Sequence, residues 1–141
     1  MIGCNRIMDE KRFRNIGKLQ IGKLYKFGSK WCLNETDPKG PVDCSGFSKW
    51  MLSQFGIDIP EGSDAQFAHC VLLNPQSQAR TGDLAFFRMP DGDITHVGLV
   101  FDEKDMIEAR GAPFNAVILR PRAKWEAFSR FSGYYRAPNE S

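Results

Sequence analysis

A thiol, an imidazole and a carboxylate follow one another along this chain as Cys44, His96 and Glu108. A cysteine hydrolase needs these kinds of group: a nucleophile, a base within reach of it, and a third group that orients the base. Cys44 lies in Val42-Asp43-Cys44-Ser45-Gly46-Phe47, at the start of a predicted short helix with Asp43 as its N-cap. Phe47, Trp50, Met51 and Phe55 recur at helical spacing, so one face of that helix is expected to be buried, and Gly56 is a natural stop. The unpaired N–H groups and positive dipole end of a helix N-terminus favour a thiolate, the nucleophilic form of cysteine. Against this stands the plainer reading of Cys44 as a small buried core residue.

Only two histidines are present, His69 and His96. His69 falls in a predicted helix beside Cys70 and reads as a structural or surface residue. His96 lies in a predicted strand between Thr95 and Val97, where a histidine is often a satisfied core or surface residue. Side chains on one face of a strand recur every two positions. If Asp102-Glu103-Lys104 forms a three-residue turn, Gly98 pairs with Glu108, and His96 becomes the same-face diagonal neighbour of Glu108. A two-residue turn would place them on opposite faces. Gly98 leaves space beside the pair. A carboxylate between Ile107 and Ala109 needs a partner if buried, and an imidazole suits it; the alternative is an exposed charge on an edge strand.

The elements that must position these groups read as helices first and strands later, the pattern of an α+β domain. Residues 5–24 have a weak helical pattern with Ile7, Phe13, Ile16 and Leu19 as inner positions. Residues 29–43, with Pro38, Gly40 and Pro41, form a loop that delivers the chain to Cys44. Ser63 or Asp64 is expected to cap a second helix running to about Leu72, and residues 74–82 are loop. Strands are expected over 83–89, 94–101, 106–110, 116–120 and 131–136, as an antiparallel sheet of about five strands.

The 141 residues, 42% of them hydrophobic, suffice for one domain with its own core. A net charge of +2 calls for no nucleic-acid partner. Residues 11–30 nevertheless hold Lys11, Arg12, Arg14, Lys18, Lys23, Lys26 and Lys30 and no acid. That run is either a solvated face or an attraction to an anionic polymer such as a cell wall or nucleic acid. Four cysteines without a C-x-x-C pair, and two histidines, do not form a zinc pattern, and no metal or organic cofactor is expected. A disulfide between two of Cys4, Cys32 and Cys70 stays open. The chain opens with no apolar run of signal-peptide length and holds no transmembrane segment. A Sec-type leader is therefore not expected in this chain.

Three motifs in order, Asp43-Cys44-Ser45-Gly46-Phe47, Gly82-Asp83-Leu84-Ala85-Phe86-Phe87 and His96-Val97-Gly98-Leu99, closely resemble the NlpC family of papain-like cell-wall cysteine peptidases. Tyr25-Lys26-Phe27-Gly28 is similar to that family's P-Y-x-W-G segment, with Leu24 for Pro and Phe27 for Trp. Gly56-Ile57-Asp58-Ile59-Pro60, followed by Ser63 and Gln66, is similar to its G-I-x-L-P segment. The likeness runs from about Ile21 to Tyr135.

The resemblance implies a papain-like α+β fold over one domain, 1–141 with a core of about 21–136. It implies Cys44 as nucleophile, His96 as base and then acid, and Glu108 in the third position, where relatives usually carry His, Asn or Gln. The Cys44 backbone N–H would help form an oxyanion hole. Tyr25, Asp43, Ser45 and Ser63 match positions that line the substrate groove. Glu61 and Gly62 replace the family's frequent Arg and Asp or Thr, and Glu61 would disfavour an anionic group at that end. The implied activity is hydrolysis of peptidoglycan stem peptides or muropeptides at the γ-D-glutamyl–diamino acid bond, by a monomer with no membrane span. A CHAP-type amidase, cutting N-acetylmuramoyl–L-alanine or a crossbridge, is the nearest alternative, although its cysteine is not usually set in D-C-S-G-F. Acyltransferases related to lecithin–retinol acyltransferases place His before Cys, the reverse of this chain. A catalytically inactive cell-wall binding module is the non-enzymatic alternative. A phage-borne enzyme, a secreted effector, a cytoplasmic recycling enzyme and a piece of a larger secreted protein all fit; small size and residues 11–30 favour a phage or effector role.

Overall fold

The computed structural model describes residues 7–138. Helix α1 spans Glu10–Gln20, capped by the Asp9 side chain, which accepts from the Arg12 N–H at 3.0 Å. It is shorter than the predicted 5–24, and its inner stripe differs. Phe13, Gly17 and Gln20 face the sheet, whereas Ile7 and Leu19 are exposed, at 82% and 74%. Gly17 sets the stripe, because a Cβ there would meet Ile107 Cδ1 at 3.1 Å and so the helix lies close to the sheet.

Helix α2, Cys44–Ser53, carries the predicted apolar face: Phe47, Trp50, Met51 and Leu52 are buried. Each such side chain removed from water contributes about 1.5–3 kcal/mol. Gly56 at φ +73° turns the chain out of this segment. Helix α3, Ser63–His69, ends three residues before the predicted Leu72. Cys70 is already extended, and Val71–Leu72 form β1, a short edge strand antiparallel to the last strand.

The remaining strands are β2 Leu84–Arg88, β3 Ile94–Val100, β4 Asp105–Arg110, β5 Ala116–Pro121 and β6 Phe131–Arg136. They form one antiparallel sheet of six strands in the order β1-β6-β2-β3-β4-β5. The expected α+β architecture holds, with β1 added to the five strands expected. Between β5 and β6 lies α4, Arg122–Ala127, a helix the sequence pattern did not announce.

The sheet is buried on both faces. On one, Phe47, Trp50 and Phe13 from α2 and α1 pack on Leu84, Phe86, Val97, Leu99 and Ile107. On the other, Trp125 of α4 covers Ala85, Phe87, Val100 and Met106. Asp83, just before β2, is fully buried and accepts from Arg136 Nε and Nη2 of β6, both at 2.8 Å. The Gly82-Asp83 of the second motif thus does structural work: Gly82 turns at φ +91° against Met8, and Asp83 ties two strands together.

The basic run of 11–30 is not one open face. Arg12 stacks on Phe55, Arg14 approaches Glu10 and Thr81, Lys23 pairs with Asp37, and Lys30 pairs with Asp43. Among the described residues no helix is long and apolar enough to cross a membrane. Cys32 carries an exposed free thiol directed at Asn34 Oδ1, and Cys4 lies outside the described residues.

Candidate active site

Cys44 is the first residue of α2. Asp43 holds the start of that helix: its Oδ1 accepts from the Gly46 N–H at 2.7 Å, and its peptide carbonyl accepts from the Phe47 N–H at 3.0 Å. Gln66 of α3 braces the same turn from a fully buried position. Its amide donates to the Ser45 carbonyl at 2.9 Å and the Pro60 carbonyl at 3.0 Å, while its Oε1 accepts from the Ser48 hydroxyl at 2.7 Å. The thiol is thereby fixed at the mouth of a helix whose leading N–H groups lack intrahelical acceptors.

The turn after β3 closes with the register needed to bring His96 to Glu108. Leu99 pairs with Ile107 and Val100 with Met106. The Asp102 side chain accepts from the N–H groups of Lys104 and Asp105 at 2.8 and 2.7 Å. Gly98 falls beside Glu108, since a Cβ on Gly98 would lie 3.4 Å from Glu108 Cβ. His96 Nε2 meets Glu108 Oε1 at 2.7 Å. Nε2 is so engaged, and Cys44 stands close enough to the ring to help raise its basicity.

Glu108 is fully buried on β4, between β3 and β5, and not on an edge. Isolated, a buried carboxylate would cost several kcal/mol. Here three donors surround it. Besides His96, Arg110 Nη1 donates to Oε1 at 2.9 Å and Trp125 Nε1 donates to Oε2 at 2.6 Å. Burial opposes ionisation of Glu108, but the hydrogen bonds and charges of His96, and then those of Arg110, hold its carboxyl below the usual range. Burial likewise opposes a charged His96, whose side chain is 14% exposed. Cys44 and Glu108 outweigh it and push the imidazole up to about 9. Phe87 and Trp125 each lie 5.5 Å from the His96 ring, centroid to centroid, and restrict its rotation.

Tyr25 stands near the thiol. Burial first, then the negative charges of Cys44 and Asp43, raise its phenol above the ordinary value and keep it a hydrogen-bond donor. Asp43 and Ser45 are both engaged by Lys30, whose Nζ donates to Asp43 Oδ1 at 2.8 Å and Oδ2 at 2.6 Å and to Ser45 Oγ at 3.1 Å. Ser63 begins α3 and donates to the Ile94 carbonyl at 3.4 Å, two residues before His96. Glu61 and His69 are exposed. Among the described residues no three His, Cys, Asp or Glu side chains gather as a metal site would require.

The expected trio Cys44, His96 and Glu108 lies together in the fold, and the side chains that touch it or its helix cap without having been singled out in the sequence are Lys30, Arg110 and Trp125. Arg110 carried a usable signal, because it is two residues from Glu108 on one strand and so shares its face. Trp125 carried only one: a glycine at 98 beside the expected pair leaves a space that something must fill. A Cβ on Gly98 would lie 2.7 Å from Trp125 Cζ2.

The arrangement has counterparts. An endopeptidase p60 from Listeria innocua, described as probable, is 38% identical over 92 residues, which are 64% of this chain and 17% of the Listeria protein. This chain thus matches about a sixth of that relative's length. Among solved structures, an NlpC/P60 family protein from Bacillus cereus superposes with a TM-score of 0.77 at 24% identity, over 92% of this chain and 40% of that one. The peptidoglycan hydrolase RipB of Mycobacterium tuberculosis superposes with a TM-score of 0.65 at 21% identity, over 91% of this chain and 65% of that one. At these identities the superpositions show a shared fold. The profile of the NlpC/P60 family matches residues 22–124, which include Cys44, His96 and Glu108, and the chain therefore belongs to the NlpC/P60 family.

Proposed function

We propose that this chain is a cysteine endopeptidase that hydrolyses peptidoglycan stem peptides, at the bond between γ-D-glutamate and the diamino acid. The observation that carries this reading is His96, held at 2.7 Å by a buried carboxylate and raised in basicity by Cys44, which stands at a helix N-terminus. Family membership and the names of the relatives supply the substrate class.

In the proposed reaction the Cys44 thiolate adds to the scissile carbonyl carbon. The developing oxyanion is met by the Cys44 N–H and by the Tyr25 hydroxyl. His96, protonated and oriented by Glu108, gives its proton to the leaving amine as the C–N bond breaks, leaving a thioester on Cys44. Water then adds to the thioester with His96 as base, the C–S bond breaks, and the acid product leaves. Asp43 holds the nucleophile's helix and, through Lys30, the Ser45 hydroxyl. Ser63 and Tyr25 flank the groove.

Mass spectrometry of products from purified muropeptides tests the reading. New termini at the γ-D-glutamyl bond are expected. Release of intact stem peptides from N-acetylmuramic acid would establish the amidase instead. An inactive binding module predicts no product and a Cys44 thiol that a small electrophile alkylates no faster than a surface cysteine such as Cys32.

A further inference from the structure

A cavity of about 320 Å³ lies on the α4 face of the sheet, against side chains that enclose the His96–Glu108 pair. Phe87, Trp125 and Phe128 make its apolar wall, and Arg110, Arg120 and Lys124 supply its charge; no acidic residue lines it. It shares Phe87 and Trp125 with the enclosure of His96, and Arg110 with the hydrogen bonds to Glu108. Arg110 Nη1 is committed to Glu108. Arg120 lies 5.4 Å over the Phe114 ring, and among the described residues neither Arg120 nor Lys124 forms an ion pair with a carboxylate. Two cations facing an aromatic wall without an internal counter-ion suit an anionic ligand, and a guanidinium suits a planar carboxylate best.

Its position says which part of a substrate reaches it. His96 must stand beside the amine it protonates, so the leaving half of the substrate departs on the His96 side of Cys44. We infer that this cavity binds the leaving half of the substrate through a free carboxylate held by Arg120 and Lys124. This rests on the peptidase reading above and adds to it the selection of an anionic leaving group. The carboxylate would be that of the diamino acid itself, or of the chain that continues from it.

Two peptides test the inference: L-Ala-γ-D-Glu-L-Lys with a free C-terminal carboxylate, and the same peptide as its carboxamide. Wild type is expected to cleave the carboxylate form with kcat/KM about tenfold or more higher, a preference that shrinks as salt is added. In an Arg120→Gln, Lys124→Gln double variant with unchanged Tm, the ratio is expected to fall to within about threefold of unity. An equal preference in wild type and variant, or no preference in wild type, overturns the inference while leaving the peptidase reading in place. Cleavage of neither peptide counts against the peptidase reading instead. The cavity is then judged on Cys44→Ala protein titrated with L-lysyl-D-alanine. A shift of the Trp125 indole NMR signal that requires Arg120 and Lys124, and that the carboxamide of the dipeptide does not produce, supports the inference; no such shift overturns it.

Discussion

His96 is held by two opposed forces, burial that disfavours its charge and the neighbours Cys44 and Glu108 that favour it, and the neighbours win. Its imidazole therefore stays protonated up to about 9. The rate of the proposed reaction is expected to fall along an alkaline limb near that value, read as kcat/KM against pH on a muropeptide. Glu108→Gln keeps a hydrogen-bond acceptor and removes the charge. It is expected to lower kcat/KM at neutral pH about tenfold or more and to move the alkaline limb down toward the ordinary imidazole value of about 6.5. A limb unmoved in Glu108→Gln would mean that the carboxylate does not set the charge of His96. The three groups were legible because strand periodicity relates residues twelve apart once the turn length is assumed, and because Asp43 and Gly56 bracket the cysteine helix. Lys30 was not, since its pairing with Asp43 depends on how the loop of 29–43 is laid, which no periodicity describes.

Among the elements, α4 matters beyond its six residues. Trp125 fills the space above Gly98 and donates to Glu108, so it links the helix to the site. Gly98→Ala places a Cβ 2.7 Å from Trp125 Cζ2. It should cost about 1–3 kcal/mol of stability by denaturant unfolding, and it should also slow the proposed reaction by displacing Trp125 from Glu108. Trp125→Phe keeps most of the packing and removes the N–H; the alkaline limb of His96 should shift even where stability is largely kept. Asp83→Asn, at the buried tie to Arg136, should cost about 3 kcal/mol with little effect on the pH profile, because it acts on β2 and β6 and not on the site. The strands were read to within a residue or two, since apolar runs and turn residues bracket them. Two of the shortfalls share a cause: α4 and β1 are short and exist through tertiary contacts, Trp125 on the sheet and Val71–Leu72 on β6, which local propensity does not encode.

For the whole molecule the His96–Glu108 pair makes stability depend on pH in both directions. Glu108 is depressed when folded, so its contribution is present above the ordinary carboxyl range and lost as pH falls below it. His96 is raised when folded, so its contribution is complete below about 6.5 and lost as pH rises through about 9. Tm should accordingly be highest between those ranges and decline from neutral pH toward 9, and the alkaline part of that decline should shrink in Glu108→Gln. The match to the NlpC/P60 family covers residues 22–124, so α1 and β6 extend the matched stretch at both ends while packing on the same sheet. The proposed reaction turns on Cys44 as the nucleophile. Its most direct measurement is the intact mass of the protein after brief incubation with muropeptide and an acid quench, for wild type and Cys44→Ala, with product formation followed in parallel. A hydroxylamine-sensitive mass increase on the Cys44 peptide is expected in wild type, and neither adduct nor product in Cys44→Ala. Stem-peptide cleavage by Cys44→Ala at a rate comparable to wild type would contradict it.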